Sequence, residues 1–282
     1  MGMELDRLVR EAFAEDLGSG DVTTSACVSP GTEGKGVVSA QAEGVLSGLE
    51  VVHPLVALGA SLYGEACHVR LEPNVSNGTR ISPGQPILAI EGSLRITLSI
   101  ERTLLNFLQH LSGVATETAR YVRAIEGTGA KIVDTRKTTP GLRQLEKAAV
   151  RHGGGVNHRF GLYDGVLIKD NHITAANGIT AAVRAARRCV HHLLRVQVEC
   201  ETLEQAEEAV RAGADALLLD NMQIETLREA AAKFKGKVLL EASGGITLAN
   251  VRAVAETGVD IISVGTITHS APVLPMHLEI MQ

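Results

Sequence analysis

Hydrophobic positions recur along this chain with two different periods. Near the start, Leu5, Leu8, Val9, Ala12 and Phe13 fall on one helical stripe, and Gly18 follows as a C-terminal stop. From about Lys35 to Gly92 the pattern changes to short strands broken by Gly and Pro, at residues 36–41, 44–47, 68–71 and 87–90. Ser82-Pro83-Gly84-Gln85 suits a type II turn, with Pro second and Gly third. These elements predict a small antiparallel sheet carrying a helix.

A long helix is predicted over residues 94–127. Leu98, Leu104, Leu105, Leu108 and Leu111 line its apolar side, while Arg102, Asn106 and Gln109 fall mostly elsewhere. It bridges two domains in this reading. A repeating grammar follows: a short apolar strand, a polar residue, a loop, then an amphipathic helix. The strands fall at 131–133, 165–168, 194–198, 216–219, 238–240 and 261–264. Such alternation argues for a parallel α/β domain. Six strands are fewer than the eight of a full barrel, so an incomplete barrel and a doubly wound sheet both fit.

Composition narrows the class. Aromatics are 2% and Trp is absent, so Val, Leu, Ile and Ala fill the core, as in buried parallel strands rather than an aromatic nucleic-acid platform. The net charge of −5 argues against nucleic-acid binding. Yet residues 131–172 hold eight Lys/Arg against four Asp/Glu. A basic cluster in an acidic protein points to a small anionic ligand. Cys27, Cys67, Cys189 and Cys200 form no C-x-x-C pair, and mostly buried, reduced thiols in a cytoplasmic protein are expected. No apolar run approaches a membrane span.

Chemistry in parallel α/β folds gathers at the carboxyl ends of strands. Here those ends read Asp134-Thr135-Arg136-Lys137, Lys169-Asp170-Asn171-His172, Glu199, Asp220-Asn221, Glu241-Ala242-Ser243-Gly244-Gly245 and Gly265-Thr266. Asp220 could simply cap the next helix. Glu199 is freer, because Thr202-Leu203-Glu204-Gln205 already offers a capping box. Ser243-Gly244-Gly245 before Thr247–Asn250 could be a plain tight turn, or a βα loop facing a phosphate at a helix N-terminus. Lys169 could bind a phosphate or carboxylate, or form a Schiff base. His152 and His158 lack the spacing of a helical zinc pair, and His158 beside Arg159 fits anion binding better. Glu199 and Asp220 would repel an anion unless they hold Mg²⁺ or sugar hydroxyls.

Longer motifs add a family resemblance. Asp134-Thr-Arg-Lys-Thr-Thr-Pro-Gly-Leu-Arg143, Gly153-Gly-Gly-Val-Asn-His-Arg159 and Gly161-Leu-Tyr-Asp-Gly-Val-Leu-Ile-Lys-Asp-Asn-His172 closely resemble quinolinate phosphoribosyltransferases. So do Asp16–Thr24, Glu101–Asn106, Glu241–Ile246 and Gly258–Gly265, and the resemblance covers nearly the whole chain. It implies an α/β fold with a small N-terminal α/β sandwich domain and an incomplete α/β barrel. The sandwich and bridging helix would span residues 1–110, with the tail at about 270–282 packing on it, and the barrel residues 111–269.

The resemblance also implies an activity and a site. The reaction joins quinolinate to the ribose of phosphoribosyl pyrophosphate with loss of CO₂, giving nicotinate mononucleotide for NAD biosynthesis. By motif, Arg136, His158, Arg159 and Lys169 would hold quinolinate's two carboxylates, with Thr135 and Lys137 nearby. Glu199 and Asp220 would face the ribose hydroxyls and Mg²⁺, directly or through substrate oxygens. Ser243, Gly244, Gly245, Val264, Gly265 and Thr266 would cradle the 5-phosphate. The family forms homodimers with shared sites, so Arg102 would come from a partner subunit; assembly beyond a dimer is left open. Val156 departs from the polar or aromatic residue common there. A relative associated with molybdenum transport shares the Asp-Thr-Arg-Lys element but typically lacks the run seen from Tyr163 to His172. A Schiff-base aldolase and a non-catalytic phosphate-binding module are the readings from other classes.

Overall fold

The computed structural model describes residues 2–72 and 74–281. The chain divides into two compact units. The first runs to Glu117 and takes in Gln144–Gly153 and the segment from Ala271. The second comprises Thr118–Arg143 and Gly154–Ser270. The sequence expectation had placed 111–269 in one domain. Residues 144–153 instead belong to the first unit: the helix Arg143–His152 buries Leu145, Glu146, Lys147, Ala149 and Val150, and Glu146 meets His110 and His152 meets Ser47, each at 2.8 Å. Burial of polar positions on such a helix leaves no mark in a hydrophobicity pattern.

In the first unit, α1 (Gly2–Leu17) buries Val9 and Phe13, and Gly18 follows at φ +53 as a stop. α2 (Val22–Cys27) is capped by Asp21, whose carboxylate accepts the Thr24 N–H at 2.8 Å. The strands are β1 (Glu33–Ala40), β2 (Gly44–Val45), β3 (Cys67–Leu71), β4 (Arg80–Ile81) and β5 (Pro86–Ser93), with α3 (Val52–Tyr63) between β2 and β3. β1 lies antiparallel between β5 and the C-terminal strand Met276–Met281, and β3 pairs with the far side of β5. Gly84 has φ +80 and Gln85 N–H bonds Ser82 O, so the predicted type II turn is present.

The bridging helix α4 spans Leu94–Ala124. Ile96, Ile100, Leu104, Leu108 and Leu111 are fully buried along it, and Arg102 and Asn106 are exposed. Gly113 lies where a Cβ would come 2.1 Å from the Pro272 carbonyl oxygen, so only glycine allows the C-terminal segment to pass so close.

The second unit is built on six parallel strands: β6 (Lys131–Val133), β7 (Val166–Ile168), β8 (Val196–Cys200), β9 (Ala216–Asp220), β10 (Leu239–Ser243) and β11 (Ile261–Ser263). Their order is β6-β11-β10-β9-β8-β7. Successive strands are neighbours from β7 to β11, and β11 returns to pair with β6. A doubly wound sheet reverses its order at a switch point; this one winds in one sense and stays open between β6 and β7. It is an incomplete α/β barrel. The outer edge of β6 carries one isolated bridge to Val156, whose N–H bonds Ile132 O at 2.9 Å. The family departure at Val156 therefore falls on a residue held by its backbone.

Three strands extend further than their sequence signals. β8 runs through Cys200, β9 through Asp220 and β10 through Ser243, so Glu199, Asp220 and Glu241 belong to strands rather than lying beyond their ends. Carboxylates in a strand interrupt the apolar run by which the strand is recognised. Cys200 alone of the four cysteines is buried; Cys27 and Cys189 are exposed and Cys67 is partly so, contrary to the expectation of mostly buried thiols. Among the described residues no helix is long and apolar enough to cross a membrane.

Candidate active site

A cavity of about 800 Å³ opens at the carboxyl ends of the six strands, and all its lining residues belong to the second unit. Side chains alternate across a strand, so residues two apart share a face. Gln197 and Glu199 on β8, Leu218 and Asp220 on β9, and Glu241 and Ser243 on β10 form three such pairs. Glu199 is in register with Leu218, Leu218 with Glu241, and Asp220 with Ser243. Of these only Gln197 is absent from the lining, and it donates to the Glu241 carboxylate from below, at 2.8 Å.

Basic residues enter from the open side of the barrel. Arg136 and Lys137 follow β6, His158 and Arg159 follow the Val156 bridge, and Lys169 follows β7; all five line the cavity, as does Thr135. Their loop is tied down from beneath. Asp134, fully buried, accepts from the Asn157 side chain at 2.5 Å and from His158 N–H at 2.9 Å. Arg143 donates to the Thr138 hydroxyl and to the carbonyls of Arg136 and Phe160. Thr268 Oγ1 donates to Lys137 O at 2.7 Å. Burial and the neighbouring Arg136 guanidinium both disfavour the charged form of Arg159. Two guanidiniums so placed gain from an anion between them.

Lys169 reaches across the rim, with Nζ 2.6 Å from Glu199 Oε2. Asp220 accepts from Asn221 Nδ2 at 2.7 Å and does not cap a helix; the next one starts at Ile224 behind Gln223. Glu199 is free of that duty too, because Thr202 caps its own helix and accepts Gln205 N–H at 3.3 Å. The Cys200 thiol beside Glu199 is buried and pushed up to about 12, so it is no nucleophile.

The glycine turns close the remaining side. Gly244 and Gly245 have φ +87 and +61 and line the cavity with Ser243, Ile246 and Thr247. Val264, Gly265 and Thr266 follow β11. The expected helix N-terminus is not what faces the cavity after Gly245: the helix there starts only at Val251 and has five residues. Any phosphate contact falls to the turn itself.

Arg102, by contrast, is exposed on α4 in the first unit and is not among the cavity-lining residues. Sequence reading named Asn221 and Glu241 at strand ends and Thr247 in a possible phosphate-facing loop without making them site residues, and it passed over His269; all four line the cavity. Asn221 carried a signal only in its position after a strand-end Asp; its φ of +52 is visible only in three dimensions.

Comparison with known proteins agrees with this architecture. Residues 21–112 match the quinolinate phosphoribosyl transferase N-terminal domain, and residues 114–279 match its C-terminal domain. The chain belongs to the quinolinate phosphoribosyltransferase family. It is 42% identical over 278 residues to a probable nicotinate-nucleotide pyrophosphorylase (carboxylating) of Bacillus subtilis, covering 99% of this chain and 94% of that one. It is 42% identical to the corresponding Mycobacterium leprae protein, covering 96% and 95%. The solved nicotinate-nucleotide pyrophosphorylase of Francisella tularensis superposes with a TM-score of 0.91 at 36% identity, covering 99% and 96%. That of Ehrlichia chaffeensis gives 0.92 at 35%, covering both chains fully.

Proposed function

We propose that this protein transfers phosphoribosyl from phosphoribosyl pyrophosphate to quinolinate with decarboxylation, releasing nicotinate mononucleotide, pyrophosphate and CO₂. The observation that carries the reading is the mixed lining of one cavity. Arg136, Lys137, Arg159 and Lys169 line it together with Glu199, Asp220 and the Gly244-Gly245 turn. The cations suit a dicarboxylate, and Arg offers it a planar fork. The carboxylates and the turn suit sugar hydroxyls and a phosphate.

The chemistry follows from charge. The ring nitrogen of quinolinate donates its lone pair to the anomeric carbon as the bond to pyrophosphate breaks. Positive charge builds on the sugar, and the Glu199 and Asp220 carboxylates would stabilise it. Negative charge builds on the leaving oxygen, where a rim lysine such as Lys137 is suited to receive it. The pyridinium nitrogen then takes up the electrons of the bond to the 2-carboxylate as CO₂ leaves, and the ring carbon is protonated. No covalent enzyme intermediate is needed.

Mg²⁺ fits this donor set as part of the substrate complex. No group of three or more His, Cys, Asp or Glu able to hold a metal occurs among the described residues, so a protein-only cage is absent. Glu199 and Asp220 would supply one or two oxygens, the usual protein share when substrate phosphates complete the shell. Bound there, the ion would neutralise charge on the pyrophosphate.

The direct test mixes the protein with quinolinate, phosphoribosyl pyrophosphate and Mg²⁺ and measures CO₂ and nicotinate mononucleotide. Stoichiometric formation of both is expected, and no turnover by folded protein would sink the reading. We further propose a homodimer whose sites each borrow the partner subunit's Arg102. Its support is the motif Glu101–Asn106 and the exposure of Arg102 on a helix that contributes no residue to the cavity. Arg102→Ala should raise the KM for quinolinate by roughly tenfold or more, the scale of one charged hydrogen bond. Mixing it with inactive Lys137→Ala should restore activity, because one site of the hybrid is intact. No recovery despite demonstrated subunit exchange would remove the shared site.

A further inference from the structure

Beneath the cations sits a group that the proposed reaction does not use. Glu241 is 2% exposed, on the inward face of β10. Burial pushes its carboxyl up, but the facing His158 and the Gln197 amide outweigh this and hold it below the usual range. It is therefore an anion. Its Oε2 accepts from Gln197 Nε2 at 2.8 Å and lies 3.3 Å from His158 Nε2. Its Oε1 is buried without a hydrogen-bond partner. Such an arrangement is costly for stability alone, since an apolar residue of similar size would avoid the desolvation.

His158 shows what the arrangement achieves. Its Nδ1 accepts the backbone N–H of Arg159 at 2.8 Å. A ring nitrogen that accepts cannot carry the proton, so the proton must be on Nε2, the nitrogen that faces Glu241. Arg159 is held a second time by Nη1, which donates to Gly165 O at 2.9 Å. Backbone and head group are thus both anchored, and the other guanidinium donors remain for a ligand.

We infer that Glu241 is a positioning residue: it keeps His158 in the Nε2–H tautomer, so that Nδ1 anchors Arg159 at the cavity wall. Gln197 completes the arrangement by orienting the carboxylate. The arrangement favours binding of the dicarboxylate over that of the sugar phosphate, because Arg159 serves the former. The kinetic part of this inference rests on the proposed reaction; the tautomer does not.

Selective ¹⁵N-histidine labelling tests the tautomer directly, with the His158 signal assigned by its loss in His158→Asn. The wild-type protein should show a neutral ring protonated at Nε2. An Nδ1–H tautomer in the wild type would overturn the inference without any Glu241 variant. Glu241→Ala should give a mixture of tautomers, and should raise the KM for quinolinate on the order of tenfold while leaving that for phosphoribosyl pyrophosphate within about twofold. Glu241→Gln keeps an acceptor oxygen and should recover part of both. An unchanged tautomer with unchanged quinolinate KM, or an equal rise in both KM values, would overturn it. If wild-type protein fails to turn over quinolinate at all, the proposed reaction falls, and the tautomer measurement still decides the role of Glu241.

Discussion

Lys169→Ala is expected to lower kcat/KM for quinolinate by roughly 100-fold, equivalent to about 2.7 kcal/mol. Two effects act in the same direction. The substrate loses a cation at the cavity wall. In addition, Glu199, whose side chain is only 15% exposed, loses the ammonium 2.6 Å away and presents an uncompensated negative charge to an anionic ligand. The second effect makes a specific double-variant outcome. Lys169→Ala combined with Glu199→Gln should be no worse towards quinolinate binding than Lys169→Ala alone, because the repelling charge is gone. Steady-state kinetics with both substrates varied would measure this. Losses that simply multiply would mean that Lys169 and Glu199 act independently, against the geometry.

The second large effect is expected on the sugar phosphate. Gly244→Ala should reduce kcat/KM for phosphoribosyl pyrophosphate on the order of 100-fold, and Gly245→Ala clearly less. Both residues have positive φ, which costs alanine about 1 kcal/mol. They differ in surroundings. A Cβ on Gly244 would come 2.2 Å from Asn221 Oδ1, whereas one on Gly245 would meet nothing within 4 Å. Asn221 cannot easily retreat. Its N–H bonds Ser243 O, its Nδ2 bonds Asp220 Oδ2, and its own φ is +52. The strain is therefore passed to Asp220 as well as to the turn. Circular dichroism should show both variants folded. Equal losses in the two would show that backbone conformation, not the Asn221 contact, sets the turn.

Much of the frame is legible in the chain. The type II turn at Ser82–Gln85 follows from Pro and Gly at fixed offsets, because φ is a local property. The six parallel strands follow from short apolar runs between amphipathic helices. The helix Arg143–His152 is different. It falls in the first unit although its sequence neighbours lie in the second, and its buried Glu146 and Lys147 have no apolar signature.

The cavity divides along the same line. By itself the sequence determined which residues end the strands: Arg136, Lys137, Lys169, Asp220 and the Gly244-Gly245 turn all occupy the rim where strand order and polarity place them. Residue type, period and motif are properties of the chain, and they suffice for that. Only the tertiary structure decided that the sheet winds in one sense instead of reversing, since β11 pairs with β6 across more than a hundred intervening residues. Only it placed Glu241 under His158, and Lys169 against Glu199. Those pairings depend on the register between strands and on charges meeting in a buried space, and neither exists until the chain has closed around the cavity.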